Sequence, residues 1–374
     1  MPASRTYTLA GAADASTAPS VRVVEAVPTA PRMRTWDAIA RALSLRPVAD
    51  AEQDARTGPT LRITVVPGAS ARAPQDIPPS WTHVATDRRG TAWRTPQGWM
   101  WKAPGFWLAL PTDGCSARVE WTLAPDAGHQ RTVRAHAFRH ALTMLLPRTG
   151  WMPLHGAGLC APPGHPLDGT VLLLVGPSGC GKSTLTAGLL QRGWRCISDD
   201  LLALAPPDPS EAIAVRSLTR DVRLCPDAWV RLGFGTDAEA APMDSLFGAD
   251  ANGQPKHALA PPAALEDGAD AEADDGSLAP ALAKTPACVL LPTIVSDARS
   301  RLRPAAQAAA LPAMLSQMQP PALLTPAVAQ AQLDRVAAVL RSGTAFHLDA
   351  GHDLYRDPGA LAALLADAPD AVPA

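Results

Sequence analysis

Gly176, Pro177, Ser178, Gly179, Cys180, Gly181, Lys182, Ser183 and Thr184 follow one another in this chain. Gly176, Gly181, Lys182 and Ser183 fit the spacing G-x-x-x-x-G-K-[ST], which cradles phosphate. An apolar run, Val171–Val175, precedes the glycines, and a helix-forming run, 184–190, follows them. The sequence therefore predicts a strand, a loop and a helix in that order. Glycines let the backbone curl until successive N–H groups face one anion. The new helix points its positive end at the same place. Lys182 is long enough to reach β- and γ-phosphates, and the Ser183 hydroxyl suits a Mg²⁺ shell. ATP and Mg²⁺ are the expected ligands.

Asp199 and Asp200 close the next apolar stretch, and Gly193 is placed to end the helix before it. A strand over 194–198 would deliver both carboxylates at the sheet edge that carries the loop. One carboxylate there can hold Mg²⁺, and the other can accept a hydroxyl proton as that oxygen attacks a γ-phosphate. Adjacent strand residues point to opposite faces, so the two should not share one role. Which of them is the base stays open at this point. His155 precedes the loop strand, and a hairpin would return it to the same edge. A lone histidine is usually structural, but its company here argues otherwise. The candidate catalytic set is His155, Lys182, Asp199 and Asp200, and the candidate metal ligands are Ser183, Asp199 and Asp200.

Two domains are expected to position these groups, because 374 residues with 47% hydrophobic content exceed one ordinary core. A net charge of −2 supplies no bulk basic field, which argues against nucleic acid and against an anionic membrane as partners. No apolar run approaches the ~20 residues that span a bilayer. The first residues lack an apolar signal core, so the expected location is the cytoplasm. Cys115, Cys160, Cys180, Cys196, Cys225 and Cys288 form no C-x-x-C pair, which argues against a zinc site or a disulfide framework. Cys180 reads as a small loop residue rather than a redox switch.

Residues 1–20 are small and polar and are expected to be a frayed tail. Residues 21–150 predict an N-terminal α+β sheet domain. Its strands are expected at 21–27, 61–66, 91–95, 99–102, 106–110 and 117–123, followed by a helix over 133–146 that Pro147 and Gly150 stop. Trp81, Trp93, Trp99, Trp101, Trp107 and Trp121 fall here and read as the core of a small antiparallel sheet. Residues 151–374 hold the loop, then a strand at 288–295, helices near 305–317 and 326–341, a strand at 345–348 and a last helix at 358–365. The stretch 235–285, rich in Ala, Asp, Pro and Gly, reads as a flexible insertion. The expected class is α/β: a P-loop catalytic domain preceded by a small, mainly β domain.

Three stretches together carry a resemblance. His155-Gly-Ala-Gly-Leu, then Val171 through Leu185 around the glycine loop, then Leu190 through Asp200, resemble the catalytic domain of HPr kinase/phosphorylase. The chain is similar in particular to the shorter HPr-kinase-related proteins of bacterial peptide-modification clusters. The likeness is specific over residues 150–201, and the AFHLDAGHDLYRD segment is similar to the closing strand of those kinases. It implies an HPr kinase/PEP carboxykinase-like fold and ATP-dependent phosphorylation of a protein or peptide hydroxyl, usually serine. It also implies a possible homo-oligomer. By the same carry-over, His155 would orient or polarise acceptor and phosphate, Lys182 would contact the phosphates, Ser183 would bind Mg²⁺, and the aspartate pair would supply the base. The chain departs from the pattern in lacking a Glu-x-Arg-Gly-Leu-Gly signature, which argues against phosphorylase activity, and in placing Thr184 where the parent enzymes have Glu. No motif places a catalytic arginine. Arg220, Arg223 and Arg231 lie in the right region. The alternative reading is an ATP-binding regulatory or accessory module with little transfer. A motion-coupled ATPase fits less well, because the acidic pair follows the very next strand.

Overall fold

The computed structural model describes residues 3–9, 20–25, 45–47, 60–66, 77–87, 90–112, 115–121, 127–206, 213–219, 222–235, 257–259 and 287–368. The chain divides into two compact units, Met1–Gly150 with Pro321–Val328, and Trp151–Pro320 with Ala329–Ala374. Among the described residues, no helix is long and apolar enough to cross a membrane.

The first unit is built on a nine-stranded sheet. Its strands are β1 (Ala3–Leu9), β2 (Ser20–Glu25), β3 (Leu45–Pro47), β4 (Thr60–Val66), β5 (Thr82–Asp87), β6 (Gly90–Thr95), β7 (Gly98–Ala103), β8 (Phe106–Pro111) and β9 (Ser116–Trp121). They lie in the order β3-β1-β2-β4-β9-β8-β7-β6-β5. Alternation explains the buried face: Val21 and Val23 on β2, and Leu61, Ile63 and Val65 on β4, all turn inward. Helix α1 (Ala127–Leu145) lies across β4, β8 and β9. It buries Ala135, Phe138, Ala141, Leu142 and Leu145, a stripe at helical spacing. Trp93 and Trp107 are buried and stack with centroids 5.8 Å apart, whereas Trp81, Trp99 and Trp101 are half-buried.

Two expectations need correction here. The sheet is larger than expected and mixed, because β2–β4 and β4–β9 pair in parallel. The supposed frayed tail supplies β1, which pairs antiparallel with β2 and buries Thr6 and Tyr7.

The second unit holds an eight-stranded mixed sheet. Its elements begin with β10 (Met152–Cys160), β11 (Val171–Val175), α2 (Lys182–Leu190), β12 (Arg195–Ser198), β13 (Leu201–Leu204) and β14 (Val215–Ser217). They continue with β15 (Val222–Leu224), α3 (Pro226–Arg231), β16 (His257–Leu259), β17 (Ala287–Ile294), β18 (Arg301–Pro304), α4 (Gln307–Leu315), α5 (Pro326–Ser342), β19 (Thr344–Ala350), α6 (His352–Arg356) and α7 (Leu361–Ala366). The order is β14-β13-β10-β11-β17-β19-β18, with β12 also on β10, while β15 and β16 form a separate pair. β11, β17 and β19 run parallel, and every residue of β11 is buried, as a strand covered on both faces requires. Leu185 and Leu189 of α2 share a core with Leu172, Leu174, Leu290, Leu354, Leu361 and Leu365. Gly188 lets α2 press against the turn before α7: a Cβ there would sit 2.5 Å from Pro358 Cβ. Apart from Gly235 and β16, the stretch read as an insertion, 235–285, lies outside the described residues.

Candidate functional site

Three backbone features converge at the C-terminal end of β11. The chain leaves β11 at Gly176 and turns through Gly179 (φ +89°) and Gly181 (φ +94°), a backbone region that disfavours side chains. Gly181 is the residue before α2, and no side chain caps that helix. The first N–H groups of α2 therefore have no partner within the helix and face outward at its positive end. Pro177, Ser178 and Gly179 form an exposed crest, while Gly176, Cys180 and Lys182 are buried. A Cβ on Gly176 would lie 2.9 Å from Cys180 Sγ, so a side chain here would have to displace the Cys180 thiol. Lys182 Nζ donates to the Gly176 and Pro177 carbonyls at 2.7 and 3.0 Å, which holds the ammonium against the loop.

Strand β10 brings the histidine. It pairs antiparallel with β11, with Gly156 opposite Val175, so His155 lies one step beyond the last residue of β11. On its other side β10 pairs first with β13 and then with β12. The gap between those two strands is Asp199–Asp200. Leu201 N–H donates to Thr219 Oγ1 at 3.2 Å, and the Ser198 hydroxyl lies 2.8 Å from both Leu201 O and Thr219 Oγ1. These buried hydroxyls replace ladder bonds at the break, as backbone groups taken out of water require. The Gly156 N–H donates to the Asp200 carbonyl at 3.2 Å, which ties the break to β10.

The two aspartates then go separate ways. Asp199 is 2% exposed; its Oδ2 accepts the Arg223 N–H at 3.1 Å, and its Oδ1 is buried with no hydrogen-bond partner among the described residues. Burial pushes its carboxyl above the usual range, and the charge of Asp200 adds to this. The Ser183 side chain and the Arg223 N–H favour the ionised form and oppose the shift. Asp200 instead accepts from Arg223 Nη2 at 2.5 Å through Oδ2, and its Oδ1 lies 3.2 Å from His155 Nε2. On the far side of the ring, His155 Nδ1 is 3.0 Å from Gln317 Oε1.

His155, Asp199 and Asp200 are thus drawn into one cluster, and Ser183 on the first turn of α2 lies near enough to Asp199 to act on its charge. Of the arginines left open by sequence, Arg223 is the one at this cluster. Arg231 is engaged with Asp227 at 3.4 Å and lies over the Tyr355 ring at 3.7 Å, and Arg220 is outside the described residues. Gln317 is a site residue that sequence reasoning missed. It is 162 positions from His155, and no motif marks it.

Among the described residues, no group of three or more His, Cys, Asp or Glu stands ready to enclose a metal. A phosphate-linked Mg²⁺ asks for less: one or two carboxylates, with phosphate and water oxygens completing the shell. The buried Asp199 carboxylate, one oxygen of which has no hydrogen-bond partner among the described residues, and the Ser183 side chain that acts on it offer hard oxygens of that kind. Compared with models of known protein families and with curated proteins, the chain matches none.

Proposed function

We propose that this protein is a kinase that transfers the γ-phosphate of ATP to a hydroxyl, on a peptide or protein, at the Gly176–Thr184 loop. The observation that carries this reading is the division of labour between Asp199 and Asp200. One carboxylate is buried with an oxygen that has no hydrogen-bond partner among the described residues, and the other faces a histidine and an arginine. A glycine turn that bound nothing would have no need of a desolvated, half-unpartnered carboxylate, which is costly to bury.

In this reading the uncapped end of α2 and Lys182 hold the phosphate chain. Ser183 and Asp199 would hold Mg²⁺, which supplies charge neutralisation to the phosphates when bound. Asp200 takes the proton of the acceptor hydroxyl as its oxygen bonds to the γ-phosphorus. The bond from that phosphorus to the bridging oxygen breaks, and its electron pair leaves with ADP. His155 lies beside Asp200 and orients it. Arg223 fixes the carboxylate from the other side and offers positive charge as it builds up on the phosphoryl group. This assigns Asp200 rather than Asp199 as the base.

A second reading rests on the 2.5 Å contact between Arg223 and Asp200. A carboxylate held that closely is a poor proton acceptor until the guanidinium moves, which favours a nucleotide-binding regulator with slow transfer. Incubation with γ-labelled ATP and Mg²⁺, with and without serine-containing peptides, separates the two. Label on the acceptor supports the kinase. ATP bound without transfer supports the regulator, and rapid free phosphate without an acceptor contradicts both.

A further inference from the structure

The loop strand β11 has one neighbour on each side, β10 and β17. His155, Asp199 and Asp200 gather on the β10 side. In the kinase reading the γ-phosphate is turned to that side, toward Asp200. A nucleotide is a linear chain from γ-phosphate through α-phosphate to sugar and base, so its far end leaves on the other side, past β17.

β17 offers a ledge there. Its pairing with β11 ends at Leu290 opposite Leu174, yet the strand runs on to Ile294. Over that overhang it is held by β19, with Thr293 opposite Asp349 and Ile294 opposite Ala350. Pro292, within the overhang, lies against the phosphate loop: its carbonyl oxygen and Cδ are 3.7 and 3.8 Å from where a Cβ on Gly176 would stand. Ile294 is one strand repeat further, about 6.7 Å along. Side chains two apart share a face of a sheet, and Cys288 and Leu290 share the core that holds Leu185 and Leu189 of α2. Ile294 therefore continues the α2 face past the end of β11, on the side where the uncapped start of α2 lies. It is 63% exposed, the most exposed large apolar side chain among the described residues. Single exposed apolar residues are ordinary; the place of this one is what sets it apart. Thr293, Ile294 and Ser296 are all exposed, and no charged residue falls between Thr293 and Ser296. Such a ledge is ill suited to another phosphate and well suited to the uncharged end of a nucleotide.

We infer that Ile294 is a binding residue for the nucleotide base: one face of the base covers its side chain while the Gly176–Thr184 loop holds the phosphates. Covering it removes apolar surface of both partners from water, which favours a nucleotide over a bare polyphosphate chain. The inference rests on the nucleotide-binding part of the kinase reading and needs no phosphate transfer.

The test is calorimetric titration of the full chain, with Mg²⁺, using ATP and using inorganic tripolyphosphate, which has the phosphates without the nucleoside. Ile294→Ser keeps the position uncharged and should weaken ATP binding about 5–20-fold while tripolyphosphate binding changes less than about threefold. Ile294→Trp offers a wider apolar face and should bind ATP at least as tightly as wild type. A serine variant that binds ATP as wild type does overturns the inference. So does one that loses ATP and tripolyphosphate by the same factor, since Ile294 would then support the loop rather than the base. A tryptophan variant as weak for ATP as the serine variant also overturns it. Wild type that binds no ATP overturns the nucleotide reading and this inference together, whereas wild type that binds ATP beside an unaffected serine variant overturns this inference alone.

Discussion

Asp199→Asn should make the protein more stable at neutral pH while abolishing transfer. Asp199 is buried, and burial raises its carboxyl above the ordinary value, with Asp200 adding to the rise. The folded state therefore binds this proton more tightly than the unfolded chain does. Stability contributed here is lost as pH rises through the interval between the unfolded value, about 3.9, and the higher folded one. Above that interval the deficit is constant, at about 1.4 kcal/mol for each pKa unit of difference. Asparagine carries no charge to desolvate. Its carbonyl can still accept the Arg223 N–H, and its NH₂ replaces an oxygen that has no partner in the wild type. The expected outcome is a higher Tm at pH 7.5, each kcal/mol gained raising Tm by about 2–4 °C for a domain of 150–250 residues. Thermal unfolding by circular dichroism at pH 7.5 and at pH 4, with EDTA present, measures it. The gain should shrink at pH 4. A destabilised Asn variant at pH 7.5, or a gain equal at both pH values, would refute the claim that a desolvated carboxylate is held there for function.

Further outcomes follow from the same geometry. The double variant Asp199→Asn with Asp200→Asn should lose transfer and keep ATP binding within a few-fold, measured by calorimetry and label transfer side by side. His155→Ala should lower kcat by about 10²-fold or more with little change in ATP affinity; an unchanged rate would return it to a packing role. Thr219→Val removes the hydroxyl that accepts the Leu201 N–H and faces Ser198, so urea unfolding should report a loss of about 1–3 kcal/mol. Gly188→Ala should destabilise by about 1–3 kcal/mol through the clash with Pro358, despite the better helix propensity of alanine; a neutral or stabilised variant would contradict the close packing of α2.

What could be read from sequence was local. The glycine loop, the strand before it and the helix after it lie within 171–190 and needed no distant contact. His155 could be placed because an antiparallel neighbour of β11 has a fixed geometry, and the structure pairs β10 with β11 in that sense. The break at Asp199–Asp200 could not be read. The apolar residues after it, Leu201–Leu204, form a second strand on β10, made possible by Ser198 and Thr219 hydroxyls that no local pattern announces. Arg223 was one of three equivalent candidates until β15 placed it against both aspartates. β1 looked like a polar tail because Ala3–Leu9 has few large apolar residues, yet its pairing with β2 buries Tyr7 completely. Gln317 is beyond any local pattern, since the fold rather than the chain makes it a neighbour of His155.

Calorimetric titration of ATP into wild type and Lys182→Ala, each with and without Mg²⁺, bears most directly on the central claim. The account predicts saturable 1:1 binding to wild type that Mg²⁺ strengthens, and loss of at least about tenfold in affinity when the Lys182 ammonium is removed. Equal binding by the two proteins, or no binding by wild type at millimolar ATP with Mg²⁺, would contradict it.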